Sequence, residues 1–240
     1  MQPRLRDALL LTLTAAAGSV DAISYLGLGR VFTANMTGNL VLLGVAIGQG
    51  QLTSSVRSVI AFAGFAVGLL VGGRVTARTE PTAVWPRSVT RALVGEVGLL
   101  VAFLIGWEIA GVRPTTLALD IVVALSAGAM GMQTAAARRL HVVGVTTTFL
   151  TGTLTSLIAG LAAVRPGRSQ WILWAATLAC MVIGAAAGAA LFVAWRPAGP
   201  VVPLLLVGMV LAAASRHPAH PYVTDNRPSP KSTEPASSLE

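Results

Sequence analysis

The residues best suited to chemistry in this sequence are polar side chains that stand inside long apolar runs. The ionisable Asp21 lies well inside the first run, residues 8–28. An ionisable group in hydrocarbon costs at least about 2.5 kcal/mol on insertion scales, so it usually faces the protein interior and marks function. We expect Asp21 to line a cavity, where it either pairs with polar groups of the Asn35–Asn39 segment or binds a cation or proton. The alternative is a carboxyl group that is solvated near the outer interface.

The second apolar run, residues 31–48, carries alternating polar side chains at Asn35, Thr37 and Asn39. In an extended segment alternate side chains point the same way, so these three would line one wall of a cavity. In a helix, Asn35 and Asn39 are four residues apart and share a face. Gly38 would permit a break between two half-helices, because glycine adopts backbone angles that other residues avoid.

A similar cluster lies in the sixth apolar run, residues 142–164. There, Thr151, Gly152 and Thr153 take the places of the Thr-Gly-Asn triplet of the second run. Helix N-termini after such breaks attract anions, whereas unwound carbonyl groups attract cations, and the sequence does not choose between them. The alternative is that these polar groups only hydrogen-bond one another between packed helices. Gln133 is open to the same two interpretations.

These clusters stand in a chain whose composition is typical of a membrane protein. Hydrophobic residues make up 54% of 240 positions and charged residues 11%, with a mean hydropathy of +0.74. A soluble domain carries about 25% charged residues, because its surface must be wet. On a soluble protein the net charge of +8 would suggest nucleic acid. Here the arginines fall between apolar runs, so we expect the lipid bilayer as a partner and no nucleic acid.

Eight apolar runs are long enough, or nearly so, to enter a bilayer whose hydrocarbon core is about 30 Å thick. They cover residues 8–28, 31–48, 56–73, 92–107, 115–137, 142–164, 171–195 and 201–215. The sequence therefore predicts a single polytopic membrane domain over residues 1–215. From residue 216 the chain is rich in Pro, Ser and charge, which predicts a disordered cytoplasmic tail over residues 216–240.

The order of motifs predicts an internal duplication of four segments. Residues 18–22 (Gly-Ser-Val-Asp-Ala) line up with residues 131–135 (Gly-Met-Gln-Thr-Ala), and residues 36–40 line up with residues 150–154, at an offset of roughly 113 to 120 residues. The alternative is chance similarity among runs rich in Gly, Thr and Ala. The two repeats would cover residues 8–109 and 115–215.

Two glycine series predict close helix packing. Gly64, Gly68 and Gly72 in the third run recur every four residues, as do Gly184 and Gly188 in the seventh. Such patterns of small residues let helix backbones approach closely inside a membrane. The two series also occupy matching places in the two halves of the chain.

Arginine placement predicts how the runs cross the membrane. If all eight span, the 17 Lys and Arg residues divide 9 to 8, without the cytoplasmic excess of membrane proteins. If the two polar runs enter and leave on one side, the division becomes 13 to 4, with both termini cytoplasmic. We therefore predict an all-α membrane fold with six transmembrane helices plus two re-entrant or broken segments. Each repeat then crosses three times, so the second copy would be inverted, as in many transporters.

The residues at positions 18–22 and 31–40 (Val-Phe-Thr-Ala-Asn-Met-Thr-Gly-Asn-Leu) resemble the N-terminal signature of the YoaK-like family of bacterial multi-pass membrane proteins, a domain of unknown function. Thr151 and Gly152 resemble the later motif of that family. The resemblance covers roughly residues 8–215. It implies a multi-pass protein of the bacterial inner (plasma) membrane, without an established substrate or reaction.

The other ionisable groups in the apolar runs have simpler interpretations. Glu96 lies about a turn into the fourth run, and we expect it near the inner headgroups, balanced by Arg91 or another arginine. Glu108 and Asp120, which flank Arg113, are expected at the wet outer interface. The sequence lacks G-x-S-x-G, Walker and H-E-x-x-H motifs, so we expect neither an enzyme nor a cofactor or bound metal.

These patterns predict a transporter or channel for a small solute or ion, with its site near Asp21 and the two Thr-Gly segments. The competing interpretation is a non-transporting sensor, chaperone or complex subunit, in which the polar cluster is sealed. Assembly into a homo-oligomer is open under both interpretations. The substrate, the coupling ion and the direction of movement are not set by the sequence.

Overall fold

The protein was analysed as a computed structural model that describes residues 1–77, 84–111, 114–140, 142, 150–162 and 167–216. Within these residues the fold is all-α, as predicted. The helices are α1 (Pro3–Gly27), α2 (Met36–Gly48), α3 (Leu52–Thr76), α4 (Arg87–Ala110), α5 (Thr116–Arg139), α6 (Leu150–Ala162), α7 (Arg168–Ala194) and α8 (Val201–Arg216). The predicted tail from residue 217 onward and the start of the sixth apolar run lie outside the described residues.

Helix length divides these elements into two classes. Six apolar helices in the described part of the chain are long enough to cross a membrane: α1, α3, α4, α5, α7 and α8, the last with the 3-10 turn before it. The helices α2 and α6 have 13 residues each. At 1.5 Å per residue α2 is about 20 Å long, too short for a hydrocarbon core of about 30 Å, and the described part of α6 has the same length. The predicted class of six long spans and two short segments is confirmed.

The outer surface of the bundle is apolar. Ile109 is 81% exposed and Val193 is 79% exposed, and many other large apolar side chains also point outward. A soluble monomer rarely exposes so continuous an apolar surface, because water would disfavour it. This surface is suited to contact with lipid, because lipid tails solvate apolar side chains favourably.

Several spans run about a turn beyond the apolar segments that predict them. The third apolar run ends at residue 73, but α3 continues through Arg74 to Thr76. The fourth run begins at residue 92, whereas α4 begins at Arg87. Backbone hydrogen bonds continue through the headgroup region, and arginine side chains keep their charged ends in water while their stems cover apolar surface. Apolar length therefore underestimates helix length at the arginine-bearing ends.

Two tight helix pairs organise the bundle. The first pair is α3 with α5, and the second is α7 with α1. Around them, α4 packs on α5 and α8 packs on α1, while the short α2 and α6 lie against α3 and α7 respectively. The central contacts are those of α1 with α5 and of α4 with α8.

The predicted close packing at glycines is confirmed in both tight pairs. A Cβ atom added to Gly64, Gly68 or Gly72 would lie within 3.1 Å of the α5 backbone. A Cβ atom on Gly184 or Gly188 would lie within 2.8 Å of the α1 backbone. Only hydrogen fits these spaces, so the glycines set the distance between the helices.

Candidate functional site

After α1, the chain turns back into the bundle before α2 begins. Gly29 (φ +83°) and Arg30 (φ +60°) both adopt left-handed backbone angles at this turn. A side chain on Gly29 would also collide with the guanidinium of Arg57, which pairs with Asp120 on α5 at 3.3 Å. Position 29 therefore needs glycine both for its backbone angle and for the arginine packed over it.

Asp21 holds the turned-back segment against α1. Its Oδ1 atom accepts the backbone N–H of Thr33 at 2.9 Å and of Ala34 at 2.7 Å, with a longer contact from Asn35 at 3.4 Å. The side chain is 5% exposed. Unwound backbone at this depth needs partners from the protein, because lipid supplies none. Asp21 is therefore buried and pairs with backbone just before the predicted Asn35–Asn39 segment, and not with the side chains of that segment.

A chain of hydroxyl groups ties the same segment to two long helices. The Oγ of Ser24 donates to the carbonyl of Val20 at 2.7 Å and lies 2.8 Å from Thr33 Oγ1, which lies 2.9 Å from Ser126 Oγ on α5. A hydroxyl has one proton, so Thr33 donates to Ser24, and Ser126 donates to Thr33. Sequence reasoning missed both serines, although Ser24 stands three residues after Asp21 and shares its helix face.

Two asparagines fix the start of α2. The side chain of Asn35 is the N-cap and accepts the N–H of Gly38 at 3.1 Å. The Asn39 amide accepts the N–H of Phe32 at 2.9 Å and donates to the Phe32 carbonyl, as an opposing strand would. Thr37 is exposed. The three polar residues therefore do not line one wall, and Asn35 and Asn39 serve the backbone instead.

The prediction that Gly38 permits the break was wrong, whereas the matching role of Gly152 stays a prediction, because residues 143–149 lie outside the described residues. Each glycine is the third residue of its short helix, and the break before α2 lies at residues 31–35. Asp21 and Asn39 satisfy the unwound backbone there, so no left-handed glycine is needed. Gly38 instead makes room for a ring, because a Cβ atom on it would lie 2.9 Å from Phe32.

The second Thr-Gly segment lies on the other tight pair. Thr151 and Gly152 are exposed on the first turn of α6, whereas Thr153 is buried. The Thr155 hydroxyl donates to the Thr151 carbonyl at 2.8 Å. The structure thus places the two Thr-Gly segments against different helices, α2 on α3 and α6 on α7. Residues 143–149, which precede α6, lie outside the described residues.

Gln133 lies at the central contact of α5 with α1. Its Nε2 donates to the Leu13 carbonyl at 3.0 Å, and the whole side chain is buried. Among the described residues, its Oε1 atom has no hydrogen-bond partner. A buried acceptor without a donor is rare in proteins and points to an unseen partner such as water or an ion.

The expectation that Glu96 lies near the inner headgroups was wrong. The residue is 0% exposed, and in the described part of the protein neither carboxyl oxygen has a hydrogen-bond partner. Glu96 falls on the buried stripe of α4 with Val89, Leu93 and Leu100, whereas Arg91 is exposed on another face. Helix rotation, which a count of residues into the run ignores, places the carboxyl in the bundle.

Two described cavities lie away from Asp21. One, of about 550 Å³, is apolar and lies between α3, α4 and α5, beside Gly68 and Leu99. The other, of about 390 Å³, lies at the ends of α3 and α5, where Thr76, Arg138 and Arg139 line it. Both sit on the α3–α5 pair, whereas the polar break before α2 is packed with protein.

The chain is similar to known transmembrane proteins. A family described as a protein of unknown function (DUF1275) matches residues 9–214. Over 153 residues the chain is 41% identical to the UPF0700 transmembrane protein YoaK of Bacillus subtilis (strain 168), an alignment that covers 64% of this chain and 66%, just under two thirds, of that protein. No solved structure matches the chain. The resemblance predicted from residues 18–40 is thereby confirmed, and the chain belongs to the DUF1275 family of multi-pass membrane proteins.

Proposed function

We propose that this protein is a transporter or channel that moves a small solute or ion between two inverted repeats. The observation that carries the proposal is that corresponding helices of the two halves pack against corresponding partners, with glycine contacts in corresponding register. Inverted repeats that meet near the bilayer midplane are a recurrent architecture of secondary transporters.

The packing order supports the repeat. In the predicted repeat, each helix from α1 to α4 corresponds to the helix four places later. If every helix is replaced by its counterpart, the α3–α5 pair becomes the α7–α1 pair. The same exchange turns the α4–α5 contact into α8–α1, and α2–α3 into α6–α7. The central contacts of α1 with α5 and of α4 with α8 map onto themselves, as contacts on a pseudo-two-fold axis should.

The register of the glycine contacts supports it more strongly. A Cβ atom on either of two glycines would collide with the backbone of the partner helix. The matching contacts are those of Gly18 with Met181 and Ala185, and those of Gly131 with Phe65 and Leu69. The glycines are 113 residues apart, and both partner residues are displaced by 116. Chance similarity between glycine-rich helices would not keep the same spacing on both sides of the contact.

Contacts at one end of the bundle support the inversion. Arg57 near the start of α3 pairs with Asp120 near the start of α5. Arg196, between α7 and α8, donates to the carbonyl of Gly111, which follows α4, at 2.7 Å. The starts of α3 and α5 and the ends of α4 and α7 therefore lie at one end of the bundle. The helix α1 then runs opposite to α5, because three crossings separate their starts.

The depth of the break before α2 supports a transport role. Thr33 contacts Ser126, the eleventh of the 24 residues of α5, so the unwound segment reaches about the middle of a span. The N-terminus of α2, with its partial positive charge, begins at this depth. In transporters, half-helix ends of this kind form solute and ion sites near the midplane.

The competing function is that of a non-transporting subunit or sensor, and one observation favours it. The Asp21 carboxylate and the Asn39 amide are both engaged by backbone groups, and Asp21 is almost fully buried. A sealed cluster of this kind stabilises a fold without requiring a solute. The two functions differ in whether water reaches Asp21 from either side.

The topology is tested by cysteine labelling in a Cys180→Ser background, with single cysteines at positions 57, 74, 138 and 168. We expect labelling of positions 74, 138 and 168 from the cytoplasm and of position 57 from the opposite side. If positions 57 and 74 label from the same side, or positions 138 and 168 from opposite sides, the inverted arrangement is wrong.

Transport is tested with protein reconstituted into liposomes and a panel of inorganic ions and small metabolites. We expect flux of at least one solute, reduced at least tenfold by Asn39→Ala, with Asp7→Asn, a half-buried residue near the N-terminus, as the control. If the panel shows no flux, and Asp21→Asn and Asn39→Ala leave cells unchanged, the non-transporting function replaces the proposal.

A further inference from the structure

We propose that Glu96 and Gln133 form a binding site for a small monovalent cation, a proton or Na⁺, in the centre of the helix bundle. The site deepens the proposed function, because a bound cation would couple solute movement to an ion gradient, and its coupling role rests on that function. The binding itself is independent of transport and is tested separately below.

The site begins with three buried oxygen atoms. Within the residues that the structure describes, Glu96 Oε1, Glu96 Oε2 and Gln133 Oε1 are all buried and lack a hydrogen-bond donor. The orientation of the Gln133 amide is set chemically, because its Nε2 donates to the Leu13 carbonyl and a flipped amide would place two oxygens together. The unpaired Oε1 atom therefore belongs to the native arrangement.

The two residues lie at the same level of neighbouring helices. A Cβ atom on Gly95 of α4 would press against the Met132 side chain of α5. Glu96 and Gln133 each follow this contact by one residue, and because α4 and α5 run in opposite directions the two residues are offset by about 3 Å along the helix axes. Both are 0% exposed, so both point into the bundle rather than toward lipid. Their shared level lies between the two ends of α4, nine residues beyond Arg87.

No charged side chain of the described protein neutralises Glu96. The two ion pairs among the described residues, Arg6–Asp7 and Arg57–Asp120, do not include Glu96. The other charged groups on α4 and on the helices packed against it stand nearer helix ends or on exposed faces. They are Arg74 on α3, Arg87, Arg91 and Glu108 on α4, Arg138 and Arg139 on α5, and Arg216 on α8.

Because no positive side chain balances Glu96, the ligand of this site must carry a positive charge. A buried carboxylate without a partner is strongly disfavoured, so it takes up a proton or pairs with a cation. One carboxylate balances one positive charge, which favours a monovalent ion. Ca²⁺ is disfavoured because a single carboxylate would leave one of its two charges unbalanced in the bundle. A proton on Glu96 would need one acceptor, and Na⁺ would need several oxygens, which Gln133 Oε1 helps to supply in either case.

The inference is tested by the melting temperature of the purified full-length protein as a function of pH, in choline chloride and in NaCl. The variants are wild type, Glu96→Gln and the matched control Glu108→Gln, which changes an exposed residue on the same helix. If the folded protein holds a proton that the unfolded chain releases, wild type and Glu108→Gln lose up to about 3–5 °C per pH unit as the pH rises. Glu96→Gln should lose this dependence.

The NaCl arm identifies the ion. If Na⁺ binds, it raises the melting temperature of wild type and Glu108→Gln in alkaline buffer by mass action and leaves Glu96→Gln unchanged. A pH effect without a sodium effect identifies a proton site. The inference is overturned if Glu96→Gln keeps the wild-type dependence on both pH and sodium, or if wild type shows neither dependence.

A second variant, Glu96→Met, keeps the test decisive if Glu96→Gln does not fold. A site for a removable cation tolerates a neutral side chain of similar volume, so Glu96→Met should fold and also lose the dependence. If both Glu96→Gln and Glu96→Met fail to fold at every pH, the carboxylate is structural and the inference is wrong. A protein that binds the ion but moves no solute would keep this inference and lose the transport proposal.

Discussion

Two acidic residues are buried in the membrane spans, and their surroundings are opposite. Asp21 on α1 accepts two short backbone hydrogen bonds, from Thr33 and Ala34. Glu96 on α4 is at least as buried, yet its oxygens have no donor in the described part of the chain. Burial therefore does not define the role of a membrane carboxylate. The groups that its oxygens contact define it.

The backbone explains the difference. Asp21 faces a segment that is not helical, whose N–H groups are free to bond to a side chain. Glu96 stands in the continuous helix α4 and faces other continuous helices, whose N–H groups already bond within the helix. A carboxylate finds donors in a membrane where the backbone is broken. Elsewhere its partner must be a side chain or a ligand.

The largest expected effect is that of Asp21→Ala, which leaves the buried N–H groups of Thr33 and Ala34 without their acceptor. We expect a loss of about 3–5 kcal/mol in the free energy of unfolding, because each bond to a charged acceptor contributes about 1.5–3 kcal/mol. Denaturant unfolding of the purified protein measures it, with Asp7→Ala as the control. A loss below about 1 kcal/mol would show that Asp21 resembles Glu96 after all.

The next effect concerns the two tight helix pairs, α1 with α7 and α3 with α5. Gly18→Ala and Gly131→Ala each press a methyl group against a partner backbone, and each should destabilise the protein by about 1–3 kcal/mol. The control is Gly98→Ala, where no described atom lies within 4 Å of the new Cβ, and a gain of up to about 1 kcal/mol is expected. Markedly unequal losses at positions 18 and 131 would contradict the repeat.

A smaller effect is expected from the hydroxyl chain beside Asp21. Thr33→Val removes two buried hydrogen bonds, with Ser24 and with Ser126, and should cost about 1–3 kcal/mol. Ser126→Ala removes one of them and should cost about 1 kcal/mol. Because the two hydroxyls contact each other at 2.9 Å, the double variant should cost less than the two single variants together. A double-mutant cycle in denaturant measures this coupling. Additive losses would show that the two hydroxyls act independently.

The smallest effect sharpens the contrast between the acids. At neutral pH, Glu96→Gln should change the free energy of unfolding by less than about 1 kcal/mol, because it removes no hydrogen bond from the described residues. Asp21→Asn should lose about 1–3 kcal/mol, since a neutral amide is a weaker acceptor for two N–H groups. Matched unfolding curves compare the variants directly. Equal losses would remove the distinction drawn between the two sites.

Much of the fold could be predicted from hydrophobic length and glycine spacing. Both act locally: a span needs about 20 apolar residues, and close packing needs small residues four apart. The pairing of Asp21 with the segment after α1 could also be predicted from the sequence, because that segment follows α1 closely and contains few polar residues. The role of Gly38 was mistaken because side chains, rather than backbone freedom, satisfy the break.

The sequence by itself determined that this protein lies in a membrane, with six long helices and two short polar ones, because lipid imposes simple rules on length and charge. The tertiary structure alone decided which polar atoms are satisfied. It turned Glu96 into the bundle at the level of Gln133 and left Thr37 exposed. Helix rotation and the register between distant helices set those contacts, and neither is written in the local order of residues.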